Sequence, residues 1–173
     1  DISERAEQER ALRESEQRLE LALSGADLGL WDWDVSSGRV EVNDRWATML
    51  GYAATHIPSS VEHWQSLMHP DDLPIAMTAL RAHLAGETER YEAEVRMRTV
   101  DGGWRWILSR GQTVERDEEG RSARVAGTHL DITRLKEVEE ALRHSQERYR
   151  SVVEDQTDLI CRYRSDTTLT FVN

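Results

Sequence analysis

The phrase ALRESEQR at residues 11–18 returns as ALRHSQER at residues 141–148. The echo extends in both directions. Asp1, Ile2 and Ser3 are answered by Asp131, Ile132 and Thr133, Glu7 and Glu9 by Glu137 and Glu139, and Val42 and Asn43 by Val172 and Asn173, every pair 130 positions apart. Two unrelated charged helices share composition, but they do not hold one register into the residues beyond them. The chain therefore reads as a tandem repeat cut from a longer protein. A period of 130 residues is too long for a solenoid unit and suits a small domain plus its linker.

Each copy opens with helix composition. Residues 3–24 contain neither Gly nor Pro and are rich in Glu, Arg, Gln, Leu and Ala, with Ser3 as the expected N-cap and Gly25 as the stop. In the second copy, Thr133 to Asp155, the apolar positions Leu135, Val138, Leu142, Tyr149 and Val152 follow alternating steps of three and four, with Ser145 interrupting. That is the seam of a coiled coil, and it predicts a parallel homodimer. The rival reading is an amphipathic helix lying on its own domain. The same register in the first copy, through Leu12, Leu19 and Ala22, makes a weaker seam.

Between the helices the period changes. LGLWDWDV alternates, with Trp31, Trp33 and Val35 on one face and Asp32 and Asp34 on the other, and SSGR then turns the chain into VEVN. Asn43 or Asp44 caps a short helix that ends at Gly51, and a further helical turn is expected around VEHWQSLM. HPDDLPIAMTALRAHLAG predicts a clearer helix, with Asp71 and Asp72 at its dipole-favoured start and Gly86 at its end. YEAEVRMR points Tyr91, Ala93, Val95 and Met97 inward; after the DGG turn come a long strand, WRWILSRGQTVER, and a last one, SARVAGTHLDI. Two strands, short helices and three consecutive strands imply an α+β fold: one curved antiparallel sheet with helices over one face.

The totals exclude several functions. A net charge of −11 argues against nucleic-acid binding and against a polybasic membrane contact. With the single cysteine Cys161 there is no intrachain disulfide and no cysteine-built metal site. No apolar run approaches the roughly 18 residues of a membrane span, so a cytoplasmic location is expected for this stretch, whatever anchor lies outside it. His69 to Asp72 offer metal-ligand types, but capping of the following helix accounts for them. No nucleophile elbow or G-x-G-x-x-G loop is present, and no enzyme site is read.

The ordered phrases LGLWDWDV, VNDRWATMLGY, MHPDDLPIAMTAL, YEAEVRMRTVDGGWRWI and DEEGRSARVAGTHLDIT resemble a PAS domain with its C-terminal PAC segment, over about residues 24–134. HPDD and the Trp-rich first strand resemble the subgroup common in bacterial sensors. The resemblance implies a five-stranded PAS fold flanked by signalling helices. Its boundaries are a linker helix at 1–24, a sensor domain at 25–134, a coiled-coil linker at 135–155 and the start of a second PAS domain at 156–173. It implies a sensory and relay module regulating a downstream output domain in cis, a histidine kinase or a diguanylate cyclase/phosphodiesterase. The alternative is a ligand-free dimerisation spacer.

The resemblance also places a pocket between sheet and helices, with candidates Trp33, Leu50, Trp64, Met77, Val95, Met97 and Trp106. It places the relay at Asp131, Ile132 and Thr133, where Asp131 and Thr133 would accept backbone N–H bonds at the helix start. Family members hold flavin, haem or small organic ligands. The thiol-adduct flavin phrase is missing here, which leaves a flavin held without a covalent bond. The nearest histidine for haem, His83, falls about two turns, roughly 10 Å, beyond the position near Ala76 where the family's ligand would stand, which disfavours haem. Neither cofactor is favoured over core packing of the tryptophans.

Overall fold

A computed structural model describes residues 2–54, 60–154 and 161–172, which divide into two units between Ile132 and Thr133. The first unit opens with helix α1, Ile2–Gly25, so Ser3 lies inside the helix rather than capping it. Strands β1, Gly29–Asp34, and β2, Val40–Val42, then pair as an antiparallel hairpin with Trp31 opposite Val42.

Asn43 does two jobs after that hairpin. Its Oδ1 accepts from Trp46 N at 3.0 Å, capping helix α2, Asp44–Thr48, and from Leu30 N at 2.8 Å in β1. One short polar side chain thus fixes the angle between strand and helix. Helix α3, Val61–Ser66, is capped by Ser60, and helix α4, Leu73–Leu84, follows.

Asp72 precedes α4 but does not cap it: its side chain makes no bond to the helix start. It reaches across to strand β3, Tyr91–Arg98, instead. Oδ2 accepts from Arg96 N and Arg96 Nε, both at 2.8 Å, and Oδ1 from Nη2 at 2.7 Å. A guanidinium fork and a backbone N–H satisfy this carboxylate better than a lone helix N–H could, and the Arg96 guanidinium holds its pKa below the ordinary value. The HPDD phrase therefore clamps α4 to the sheet.

Strands β4, Trp104–Arg116, and β5, Ser122–Asp131, complete a five-stranded antiparallel sheet in the order β2-β1-β5-β4-β3. The alternation in β3 is obeyed: Tyr91, Ala93, Val95 and Met97 are buried. They meet Trp46, Leu50, Leu67, Ala76, Leu80 and Ile107 in one core between the sheet and α2–α4.

The second unit contains helix α5, Thr133–Glu154, and a hairpin of β6, Cys161–Tyr163, with β7, Leu169–Val172. Cys161 pairs with Val172 and Arg162 with Phe171, as Trp31 pairs with Val42 and Asp32 with Glu41 in β1 and β2, each 130 residues earlier. At Tyr163 the register slips, to Leu169. Along α5, Leu135, Val138, Leu142 and Tyr149 are each more than half exposed, at 53, 58, 58 and 56%. The side chain of Val152, residue 155 of the expected linker and residues 156–160 of the expected second domain lie outside the described residues.

Candidate functional site: an aromatic cavity on the inner sheet face

Antiparallel pairing puts one row of residues across the inner face: Val42, Trp31, Gly127, Gly111 and Tyr91. The two central members are glycines, and the reason is visible in space. A Cβ at Gly111 would lie 2.3 Å from Trp31 Cη2, and one at Gly127 would lie 1.9 Å from the Arg110 carbonyl oxygen and 2.4 Å from Trp31 Cζ2. The Trp31 indole lies against both glycines and meets Tyr91 edge-on, with ring centroids 6.2 Å apart.

Against this row opens a cavity lined by Trp31, Trp33, Val40, Trp46, Val61, Trp64, Leu80 and Tyr91, enclosing about 390 Å³ of empty space with its open mouth included. Its wall is nearly all carbon and holds no charged side chain. Yet Trp31 Nε1, Trp33 Nε1, Trp46 Nε1 and the Tyr91 hydroxyl are buried without a hydrogen-bond partner of ordinary geometry within the protein. Buried polar atoms without partners are few in folded proteins, and four from one cavity's lining is a concentration. Burial pushes the Tyr91 phenol up to about 12, with the Ser109 hydroxyl opposing slightly.

Of the residues expected in the pocket, Trp33 and Trp64 line the cavity. Leu50, Val95 and Met97 are fully buried in the adjoining core, and Met77 packs against that core. Trp106 is a correction. It pairs with Arg96, and paired residues share a face, so its indole lies on the outer face under the Arg96 guanidinium, 5.3 Å from the ring centre. Its inner-face neighbour in the chain is Ile107.

His129 was not singled out from the sequence. It is paired with Ser109 and with Gly29, and its ring sits between Trp31 (6.3 Å) and Trp46 (5.5 Å). Burial pushes its pKa down to about 3, so it is neutral. Its even-handed alternation with Gly127 and Val125 was the signal that could have found it. His83 is buried as well, with Nδ1 3.1 Å from the Thr88 carbonyl and Nε2 3.1 Å from Thr113 Oγ1. A carbonyl only accepts, so Nδ1 carries a hydrogen and donates it to Thr88.

The relay residues close the sheet. Asp131 ends β5, with its carboxylate 2.7 Å from Arg105 Nη1, and the buried Ile132 donates its N–H to the Trp106 carbonyl at 2.9 Å. Asp131 thus has an ion-pair partner on β4. Thr133 is the first residue of α5. Among the described residues no three His, Cys, Asp or Glu side chains are grouped to hold a metal, and no helix is long and apolar enough to cross a membrane.

A five-stranded antiparallel sheet in this order, with short helices enclosing an aromatic cavity on one face, defines a sensor-type α+β domain. A model of the PAS fold matches residues 39–129, and the chain belongs to the PAS family. It is 31% identical over its whole length to the two-component sensor PprA of Pseudomonas aeruginosa, and spans 18% of that protein. It is similar to the solved structure of a sensory box histidine kinase/response regulator from Burkholderia thailandensis (38% identity, TM-score 0.67, 77% of this chain and 98% of that one). It is also similar to the N-terminal domain of a diguanylate cyclase with PAS/PAC sensor from Marinobacter aquaeolei (25% identity, TM-score 0.54, 61% of this chain and 95% of that one). The domain is homologous to the sensor regions of histidine kinases and diguanylate cyclases, consistent with a signal-relay module. PAS domains in signalling proteins typically dimerise and regulate output domains, and PAS domains can bind flavin or haem.

Proposed function

We propose that this domain senses a small molecule in the aromatic cavity and passes the change along β5 into α5, toward a histidine kinase or diguanylate cyclase/phosphodiesterase output in cis. The observation that carries the reading is the course of β5. It passes under the Trp31 indole at Gly127 and ends at Asp131, with Ile132 alone between it and α5. Four residues of strand span about 13 Å, so a shift at the cavity floor has a short, hydrogen-bonded path to the helix. The exposed seam on α5 supports a parallel homodimer, through which a change of helix angle would be felt by both chains. The 130-residue spacing between the two hairpins supports a second PAS domain beginning near residue 156. A cytoplasmic setting suits such a relay.

The residues do not suit the family's two large cofactors. The Trp31 indole already covers Gly111 and Gly127 on the inner sheet face and leaves no room there for a second flat ring. Both nitrogens of His83 are engaged, so it offers no ligand to haem iron.

The test is native mass spectrometry of the chain for a retained molecule, followed by hydrogen exchange with and without that molecule. Added protection on β5 and the first turn of α5 supports relay, and protection confined to the cavity helices refutes it. The second reading, a spacer without ligand, is favoured by the same seam. It would hold if Asp131→Ala left hydrogen exchange in α5 unchanged and no molecule were retained.

A further inference from the structure

We infer that the two copies of the helical phrase in this chain are not interchangeable: α5 is built to pair with α5 of a second copy, parallel and in register, and to reject α1. This rests on the dimer proposed above and names what selects the partner of that same face.

The two sides of α5 differ in what satisfies them. On one side Arg143 Nη1 lies 2.7 Å from Glu147 Oε1, and His144 Nε2 lies 2.8 Å from Glu140 Oε1. These groups are answered within the helix, as on a face turned to water. On the other side Leu135, Val138, Leu142 and Tyr149 stand more than half exposed. Such a stripe is covered best by a second helix of the same spacing.

Charge selects that helix. Parallel, in-register pairing sets the residue before one seam position beside the residue after the next seam position of the partner. In α5 these are Arg134, before Leu135, and Glu139, after Val138, so two copies meet with opposite charges, twice by symmetry. Both residues are exposed. Lys136 Nζ lies 3.6 Å from Glu139 on the same helix, and a carboxylate can accept from both. Antiparallel pairing would instead bring Arg134 toward Arg148, which precedes Tyr149 on the same flank of the seam.

The first copy of the phrase has lost this pattern. In α1, Arg5 and Gln8 stand where α5 has Leu135 and Val138, and both are exposed. Glu4 and Glu9 stand where α5 has Arg134 and Glu139. Pairing α1 with α1 would set glutamate beside glutamate and Arg5 in the seam. Pairing α1 with α5 would bury Arg5 against Leu135 and Gln8 against Val138, and set Glu4 beside Glu139. Polar seam residues cost stability and reject the wrong partner. The consequence is alignment. Pairing of unlike copies would displace one chain along the other by a whole domain, and these four residues of α1 oppose it.

The test uses the full chain with its single cysteine removed, Cys161→Ser, and a new cysteine at one of two matched seam positions, Ser15→Cys in α1 or Ser145→Cys in α5. Disulfide formation in oxidised glutathione is followed at micromolar concentration, and the products are identified by mass. Ser145→Cys chains are expected to cross-link to one another about tenfold faster than Ser15→Cys chains, and an equimolar mixture to give less than about a tenth of mixed product. Glu139→Arg is expected to weaken the dimer about fivefold in a light-scattering dilution series, and Arg134→Glu together with Glu139→Arg to restore it. Equal cross-linking at the two positions, mixed product in the majority, an unweakened Glu139→Arg dimer, or no restoration in the double variant overturns the inference while the dimer stands. A chain that is monomeric in light scattering and cross-links at neither position refutes the dimer and the inference together.

Discussion

Acid should destabilise this domain through His129 before any carboxylate titrates. The residue is 1% exposed, and its ring faces Trp31, Trp46 and, across the strand, Ser109, with no charged group among them. Burial holds its pKa at about 3, against 6.5 for an exposed imidazole. Between those values the unfolded chain takes up a proton that the folded one refuses, so stability is whole above about pH 6.5 and falls as pH falls. At pH 5 the loss is about 2 kcal/mol, set by the unfolded value alone so long as the folded one stays below about 4. For a domain of this size that is roughly 8 °C in melting temperature. His129→Leu removes the group and leaves the other five histidines in place, six being present in all. Unfolding by urea at pH 7, 6 and 5 should show the unaltered chain losing about 2 kcal/mol more than the variant across that range. Parallel pH profiles would mean that His129 finds a proton and a partner in the folded state, and the neutral aromatic sandwich would be wrong.

Asp72→Ala strips three bonds from Arg96 and should cost about 2–4 kcal/mol in urea unfolding, the pair being largely buried on the Asp72 side. Because the Asp72 pKa is depressed, its contribution in the unaltered chain is present above about pH 4 and lost as pH falls through the lowered value; the variant should lack that limb. Gly127→Ala drives a Cβ into the Arg110 carbonyl and Trp31 and should cost about 3 kcal/mol in urea unfolding, whereas Gly25→Ala, which meets nothing within 4 Å, should be neutral in the same measurement. If the proposed dimer forms through α5, Leu142→Asp should turn it into monomer in light scattering at micromolar concentration, since it puts a charge in the middle of the α5 seam. An unaltered dimer would place the interface elsewhere.

Much of this fold is local and therefore legible. Alternation in YEAEVRMR gave the faces of β3, because strand side chains alternate whatever lies beside them. The cap at Asn43, the helix before Gly86 and the three final strands of the sheet depend on residues a few positions apart. The phrases that resemble the PAS family stand in the order in which the elements follow.

What the chain alone did not decide is which strand lies beside which. The order β2-β1-β5-β4-β3 sets the first strand against the last, and only that contact brings Trp31 over Gly127 and Gly111, residues 96 and 80 positions away. Neither glycine has a local reason to be there; each is explained by an indole from another strand. Trp106 invited burial by its size, yet its register opposite Arg96 turned it outward, because pairing and not hydrophobicity assigns the face. Asp72 sat where a helix cap belongs, and Arg96, 24 residues on, held it more strongly than the helix start could. Local patterns record the period of the backbone. The cavity is a property of packing between segments far apart in the chain, and no stretch of sequence contains it.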